Sequence, residues 1–247
     1  MDIFCSQKQI NKTNNRRKTI SVFCGLIGLL VVSQNSLAAG GLGFDKTRLY
    51  IHSGKTDGSL LLKNTSNNVY LVKARLEDFD QNPTRMGTVR PPIFQINPDK
   101  ATRLRVLINA KDLPTDRESM FWLFTHAFPA QKVTDTKINQ LQFNYLTRIK
   151  VFYRPSGLQG SLEAATEQVD WTVKNSKLVA KNQSPYNISL ASLRVNGKLI
   201  DTSKVLTPYS NWASNISVQS SSKPVSISWS SINEFGGIST YEKILGE

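Results

Sequence analysis

Hydrophobic and polar residues alternate along short runs of this 247-residue chain, and this period of two predicts β-strands. Turn-forming residues separate the runs, as in residues 54–58, residues 64–68 and the sequence Asn97-Pro98-Asp99. No long stretch keeps a helical period. The predicted strands are TRLYIHSG, GSLLLKNTS, NVYLVKARLED, TRLRVLIN, SMFWLFTHAF, QLQFNYLTRIKVFY, DWTVKNSKLVAKNQ, YNISLASLRVNG, NWASNISV and SISWSSINEFG. The pattern therefore predicts an all-β protein made of sandwiches or barrels.

The composition and the hydrophobic pattern of the chain change after Pro155, and this change predicts two domains. Proline cannot extend a strand ladder, so Arg154-Pro155 ends the first run of strands. The next segment, SGLQGSLEAATEQ, is small and polar, and a second run of strands follows it. We expect a first sandwich at residues 39–155, a linker at 156–161 and a second sandwich at 162–247.

Residues 1–38 have the composition of a secretory signal peptide. A basic cluster at residues 16–18 precedes an apolar run of about 11 residues, which is shorter than the roughly 20 residues of a membrane-spanning helix. Ser36 and Ala38 predict cleavage after Ala38. Cleavage removes both cysteines, Cys5 and Cys24, and lowers the formal net charge from +13 to +9. An exported, basic chain without a disulfide points to an acidic partner, a membrane surface or simple solubility, and not to nucleic acid.

The sequence contains almost none of the residue spacings that are typical of catalytic or metal-binding sites. It has no G-x-S-x-G, no nucleotide-binding loop and no H-E-x-x-H. The only histidines, His52 and His126, are interpreted as strand-surface residues, and no cofactor or metal is expected. Asn64-Thr65-Ser66 has the form of a glycosylation site, but Asn and Ser are also expected in a turn there. An exported two-sandwich protein of this kind is expected to bind partners and not to be an enzyme.

The stretch QLQFNYLTRIKVFYRP, residues 140–155, departs from simple alternation. Leu141, Phe143 and Tyr145 share one face of the predicted strand, and three basic residues crowd its end. From the pattern alone, the apolar face packs on the protein's own core or belongs to an edge strand that is offered to a partner.

Five motifs together resemble the periplasmic pilus-assembly chaperones of the chaperone–usher pathway, the PapD-like family. They occur in the family's order over essentially the whole chain after residue 38, and they are FDKTRLYI, LPTDRESMFWL, RIKVFYRP, NQSPYNISLASLRVNGK and INEFGG. The resemblance implies two immunoglobulin-like β-sandwich domains arranged as a boomerang. It also implies that the protein lends a strand to pilus subunits that lack their last strand, and delivers them to an outer-membrane usher.

The resemblance assigns roles to particular residues. Arg48 and Lys150 match the two basic residues that hold the C-terminal carboxylate of the subunit. Leu141, Phe143 and Tyr145 match the donated side chains. A carboxylate held by charge-assisted hydrogen bonds would set the register of the added strand. Strict alternation puts Lys150 on the face opposite the donated side chains, so we expect a bulge or twist before it, or a lysine stem that reaches around the edge.

Glu118, Arg154 and Glu234 match an ion-pair cluster that ties the two domains of the family together. Glutamate stands at 234 where aspartate is common, which changes the reach of that side chain. The segment from Phe128 to Ile138 is short and has no flanking cysteine pair, which implies the short-loop branch of the family.

The alternative interpretation is a structural or adhesive subunit of a surface fibre. Such subunits are usually single sandwiches with a disulfide, whereas this chain predicts two sandwiches and no disulfide. The sequence identifies neither the pilus nor its subunits. It also leaves open whether the free protein caps its own edge by forming a dimer.

Overall fold

Strands dominate the part of the chain that the structure describes, as the alternation predicts. The structure is a computed structural model, and it describes residues 40–130, 143–200, 204–218 and 224–246. The predicted signal peptide, its cleavage site, Leu141 and most of the segment between Phe128 and Ile138 lie outside these residues. No helix within the described ranges is long and apolar enough to span a membrane.

The first sandwich consists of two facing sheets. One has the strand order β1-β3-β7-β5, and the other has the order β2-β9-β8-β4-β6. Its strands are β1 (Leu42–Phe44), β2 (Arg48–His52), β3 (Asp57–Asn64), β4 (Tyr70–Glu77), β5 (Gly87–Arg90), β6 (Ile93–Ile96), β7 (Ala101–Ile108), β8 (Ser119–Pro129) and β9 (Tyr145–Arg154), with a 3₁₀ turn at Ala110–Asp112. All pairings are antiparallel except that of β2 with β9.

The second sandwich begins with one short helix, α1 (Leu162–Glu167). One sheet has the order β10-β11-β15, and the other has the order β13-β12-β16-β17, with β14 also paired to β12. The strands are β10 (Asp170–Lys174), β11 (Lys177–Asn182), β12 (Ile188–Val195), β13 (Lys198–Ile200), β14 (Val205–Leu206), β15 (Ser210–Ser217), β16 (Val225–Ile232) and β17 (Ile238–Leu245). The predicted fold class, all-β with two immunoglobulin-like sandwiches, is confirmed.

Each sandwich has its own hydrophobic core, built from alternate strand positions. In β4, for example, Tyr70, Val72, Ala74 and Leu76 are buried, whereas the residues between them are exposed. The second core is centred on two fully buried tryptophans, Trp171 and Trp229, whose rings lie 5.5 Å apart. Regular alternation thus builds two separate cores.

A buried asparagine closes a turn in each sandwich. Asn64 is 1% exposed, and its Nδ2 atom donates to the carbonyl oxygen of Asn68 at 2.7 Å. Asn182 is equally buried and donates to the carbonyls of Tyr186, Leu206 and Thr207. Since Nδ2 of Asn64 is the atom that would carry a glycan, this sequon is a structural turn.

The two sandwiches make direct contacts within residues 40–247, which form one compact unit. Met120 of β8 and Phe152 of β9 pack with Val205 of β14 in a small buried cluster. The backbone N–H of Glu118 donates to the carbonyl of Pro185 at 2.9 Å. The outer face of the sheet β2-β9-β8-β4-β6 is therefore partly covered by the second sandwich.

Candidate functional site

The N-terminal half of β9 has an unpaired edge. β9 lies between β8 and β2, but β2 pairs only with the second half of β9, from Arg48 opposite Lys150 to His52 opposite Arg154. Among the described residues, Tyr145–Ile149 therefore pair with β8 on one side and have no ladder partner on the other. We call this segment the free edge of β9. Unpaired backbone groups of this kind invite another strand.

Two cations, Arg48 and Lys150, mark the place where the free edge ends. They are register partners in the parallel pairing of β2 with β9, so their side chains leave the same face of the sheet. Arg48 is 6% exposed, and its Nη1 donates to the carbonyl of Ile232 at 3.0 Å. The Nζ of Lys150 lies 3.4 Å from Oγ of Ser189 and 5.8 Å from the ring centre of Trp122. We call Arg48 and Lys150 the anchor pair.

The anchor pair has no counter-charge within the described residues. No carboxylate of residues 40–130, 143–200, 204–218 or 224–246 forms a salt bridge with Arg48 or Lys150. The Nε of Arg48 is buried and makes no hydrogen bond. A buried donor without a partner is costly, and an anion that accepts from it would remove that cost.

Burial also affects the protonation of the anchor pair. It lowers the pKa of Lys150 to about 8, and the charge of Arg48 acts in the same direction. Burial lowers the pKa of Arg48 as well, although Tyr50 opposes the shift, and a guanidinium still stays protonated in a protein. At neutral pH both groups are therefore mainly cationic, and each raises the preference of the site for an anion.

β9 has no bulge between Tyr145 and Lys150, which was one of the three alternatives that the sequence left open. The pairing of β8 with β9 runs without a register shift from Ser119 opposite Tyr153 to Ala127 opposite Tyr145. Lys150 reaches Ser189 because the even-numbered face of β9 is the one that turns toward the second sandwich. Phe152 on the same face packs against Val205. Strict alternation is kept, and neither a twist nor a detour of the lysine stem is needed.

Two of the three predicted donor side chains, Phe143 and Tyr145, belong to the described residues and lie just before and at the start of β9. Leu141 lies outside the described residues. Phe143 precedes β9 and is 66% exposed. Tyr145 is 37% exposed, and its ring meets that of Tyr70 edge to face at 5.6 Å. Sequence reasoning overlooked Leu146, which is 63% exposed on the opposite face of the strand. Large apolar side chains therefore flank the free edge.

Arg154 binds both of the other predicted ion-pair residues, Glu118 and Glu234. Its Nε donates to Oε1 of Glu118 at 2.6 Å, and its Nη1 donates to Oε1 of Glu234. The carboxylate of Glu118 is 0% exposed and also accepts from the backbone N–H of Asn187 at 2.9 Å. Glu118 and Arg154 belong to the first sandwich, and Asn187 and Glu234 belong to the second. The cluster therefore connects the two sandwiches at the end of β9.

A second buried carboxylate, that of Glu77, is the partner of Arg148, the third basic residue near the end of β9. Glu77 is fully buried and accepts from Arg75 at 2.6 Å and from Arg148 at 2.9 Å. Both guanidinium groups also lie over the ring of Phe124. Of the three basic residues that crowd the end of β9, Arg148 and Arg154 thus have carboxylate partners, whereas Lys150 has none within the described residues.

A cavity of about 450 Å³ opens beside Arg48 of the anchor pair, and Lys150 does not line it. Its walls come from the segment that leads into β2, including Thr47 and Arg48, from Tyr50 and His52 of β2, and from the turn that carries Phe235. No group of three or more potential metal ligands occurs among the residues that the structure describes. The site therefore offers a free strand edge, two cations and an adjoining cavity.

Comparisons with known proteins identify relatives along the whole described chain. Residues 41–159 match the profile of the PapD N-terminal domain of pili and flagellar-assembly chaperones, and residues 164–243 match that of the C-terminal domain of the pili assembly chaperone PapD. The chain is 32% identical to the probable fimbrial chaperone LpfB of Escherichia coli O157:H7, over 87% of this chain and 93% of LpfB. It is 29% identical to the chaperone protein LpfB of Salmonella typhimurium, over 90% and 95% of the two chains.

A solved structure shares the fold. The Salmonella enterica SafB chaperone, in complex with the SafA pilin, superposes with a TM-score of 0.74 at 26% identity, over 83% of this chain and 96% of the matched chain.

Proposed function

This chain belongs to the PapD-like family of pilus-assembly chaperones, and we propose that it binds pilus subunits in the bacterial periplasm by strand addition at the free edge of β9. Members of this family are chaperones, so the alternative of a fibre subunit is set aside. They are also not enzymes. The observation that carries the proposal is the anchor pair, two partly buried cations without a described counter-charge at the point where the free edge ends.

The geometry favours one direction for the bound strand. If the C-terminal carboxylate of a subunit binds Arg48 and Lys150, the preceding residues extend beside Ile149 and then toward Tyr145. The subunit strand then runs in the same direction as β9, as β2 does. Backbone hydrogen bonds to the free edge supply affinity, and the carboxylate sets the register.

The apolar side chains before the anchor pair would cover the open core of the subunit. Phe143 is already exposed in the free protein, so its transfer into a partner costs little of the protein's own packing. Tyr145 is only 37% exposed and would give up its edge-to-face contact with Tyr70. Leu141 would extend this set by one position. Each large side chain that becomes buried contributes about 1.5–3 kcal/mol.

The Arg154 cluster would hold the two sandwiches in the orientation that presents the anchor pair. Arg48 and Lys150 each contact the second sandwich, through Ile232 and Ser189, so their positions depend on that orientation. We propose residues 39–155 and 162–247 as the two domains, joined by residues 156–161. Delivery to an outer-membrane usher and self-capping of the free edge as a dimer are further parts of this proposal.

The proposal is tested by co-expressing the protein with a pilus subunit encoded beside its gene. Arg48→Ala and Lys150→Ala should fold normally but recover little or no subunit complex from the periplasm. Lys63→Ala and Arg103→Ala are matched controls, because both residues are exposed cations on the other sheet of the same sandwich. Normal recovery of complex by either anchor variant contradicts the proposal.

A further inference from the structure

The carboxylate of Glu77 is buried on the outer face of its sheet, and the proposed function does not use it. Alternate positions of β4, up to Leu76, point into the core, so Glu77 stands on the opposite face. It is nevertheless 0% exposed and accepts from two guanidinium groups, that of Arg75 at 2.6 Å and that of Arg148 at 2.9 Å. A carboxylate withdrawn from water is costly unless cations compensate it, so the two arginines stabilise its burial.

Arg148 connects this carboxylate to the free edge of β9. Arg75, Phe124 and Arg148 stand opposite one another on β4, β8 and β9 and form one row across the sheet. The guanidinium of Arg148 lies 4.9 Å from the centre of the Phe124 ring, and its Nε donates to Oε2 of Glu77. The ion pair therefore joins β9 to β4, a strand that is not its neighbour in the sheet.

The free edge is held by fewer strands than the rest of β9. Among the described residues, Tyr145–Ile149 pair with β8 alone, whereas the second half of β9 lies between β8 and β2. A segment with one ladder and few packed contacts opens locally at a low cost in free energy. Two side chains of the free edge reach over β8 to β4, Tyr145 to Tyr70 on one face and Arg148 to Glu77 on the other. These contacts oppose local opening.

We propose that Glu77, acting through Arg148, holds the free edge in an extended conformation before a subunit binds. The inference deepens the proposed function and rests on it. A strand is added to an edge whose backbone groups are already aligned, and ordering that edge at the moment of binding would reduce the affinity. A charge-assisted ion pair that orders the edge beforehand removes part of this cost. Glu77 and Arg148 are positioning residues, because they act through the conformation of β9 and not on the bound carboxylate.

Two cations on the same face of β9 thus have different roles. The charge of Arg148 is compensated by Glu77, so it offers little to a second carboxylate. Lys150 stands two residues further along the same face and has no carboxylate partner within the described residues. Arg148 therefore orders the strand, and Lys150 is left to bind the anion.

The test compares a short and a long probe, each with a free C-terminal carboxylate. N-acetyl-alanine reaches the anchor pair, whereas N-acetyl-valyl-threonyl-valyl-threonyl-valyl-threonyl-alanine is long enough to pair with all of Tyr145–Ile149. Each probe is titrated into the ¹⁵N-labelled protein, and dissociation constants are taken from the amide signals near Lys150. Arg148→Met should weaken binding of the long probe about tenfold and of the short probe less than about twofold.

Two more variants separate the contact from its charge and from general stability. Glu77→Met removes the same ion pair but changes the net charge in the opposite direction, so the same selective loss is expected from it. Arg75→Met is the matched control, because it removes the other guanidinium of Glu77 and leaves the contact with Arg148 in place. Both affinities should stay within about twofold in this control. In Arg148→Met and Glu77→Met, amide hydrogen exchange at the free edge should increase about tenfold more than in β7.

Equal weakening of the long probe by Arg148→Met and Arg75→Met would mean that the cluster contributes general stability, and it would overturn the inference. An affinity for the long probe that neither Arg148→Met nor Glu77→Met changes also overturns it. If the long probe alone binds the unaltered protein, the carboxylate anchor fails, and the positioning role is decided by the same three variants. If neither probe binds, strand addition fails and the inference falls with the proposed function.

Discussion

The low pKa of Lys150 predicts that binding of a C-terminal carboxylate weakens as the pH rises from 7 to 9. Burial and Arg48 lower the pKa of the free lysine to about 8. A carboxylate bound next to the amine stabilises its charged form, so the pKa of Lys150 rises on binding and a proton is taken up from solution above pH 8. Only the protonated fraction is ready to bind, and it falls from about nine-tenths at pH 7 to about one-tenth at pH 9.

The expected loss of affinity is therefore about tenfold between pH 7 and pH 9, or about 1.4 kcal/mol. It can be measured at constant ionic strength with N-acetyl-glycyl-glycyl-alanine, an acetylated tripeptide with a free C-terminal carboxylate, because its small side chains leave the carboxylate as the main group that the anchor pair can bind. Lys150→Arg is the matched control. Its guanidinium stays charged throughout, so affinity should be nearly flat over the same pH range.

The stability of the free protein should change in the opposite direction. The unfolded chain holds the proton of Lys150 up to the ordinary lysine pKa of 10.5, whereas the folded chain releases it at about 8. Between these values the unfolded state binds more protons, so this residue contributes an increase in stability as the pH rises. An NMR titration of the lysine side chain checks both effects. A pKa near 10.5 refutes the burial argument, and a pKa near 8 with pH-independent affinity refutes the role of the lysine charge in binding.

Two further predictions concern the ends of β9. Arg154→Met should lower the free energy of unfolding by about 3–5 kcal/mol in urea titrations, because it leaves the buried carboxylate of Glu118 without its cation. His52→Ala removes an exposed side chain that lies 3.9 Å from Glu234 and 6.4 Å from the ring of Tyr50, so it should cost less than about 1 kcal/mol. Equal losses in the two variants would contradict the assignment. The double change of Phe143 and Tyr145 to serine should lower the unfolding free energy by no more than about 2 kcal/mol, mainly through the lost contact of Tyr145 with Tyr70, but reduce the amount of soluble subunit after co-expression. Leu199→Ser, at another exposed apolar residue, is the control, and unchanged subunit solubility in the double variant would contradict the donor role.

Local periodicity predicted most of the strands, because side chains on a half-buried strand alternate in environment. It did not reveal β1, β13, β14 and β17, and it took β10 and β11 for one strand. It also did not reveal β5 and β6, which flank two consecutive prolines and have only four residues each. The helix α1 was also overlooked, since six residues are too few to show a helical period. Short elements depend on their surroundings: Trp229 donates to the carbonyl of Thr166, a contact that joins residues far apart in sequence.

Alternation also placed Lys150 on the face opposite the donor side chains, and the structure keeps it there. No bulge is needed, because the face of β9 that carries Lys150 is the face that meets the second sandwich. The sequence does not reveal which face of the first sandwich meets the second. That information lies in contacts such as Lys150 with Ser189 and Met120 with Val205, which connect the two domains. Leu146 could have been found by following the even-numbered face of β9 back from Lys150. Trp122 could have been found by extending that face onto the neighbouring strand β8, where it lies opposite Lys150.

The start of β2 at Arg48 determines what kind of feature the free edge can recognise. Since β2 occupies the edge beyond that point, an added strand has no ladder partner past the anchor pair and its pairing with β9 ends there. If the anchor pair binds the C-terminal carboxylate, the position of every preceding subunit residue along β9 is fixed by its distance from the C terminus. Subunits of different sequence then share one register. A subunit extended by an affinity tag at its C terminus would place an ordinary peptide bond between Arg48 and Lys150. Tags for work on such complexes therefore belong on the chaperone or inside a subunit loop.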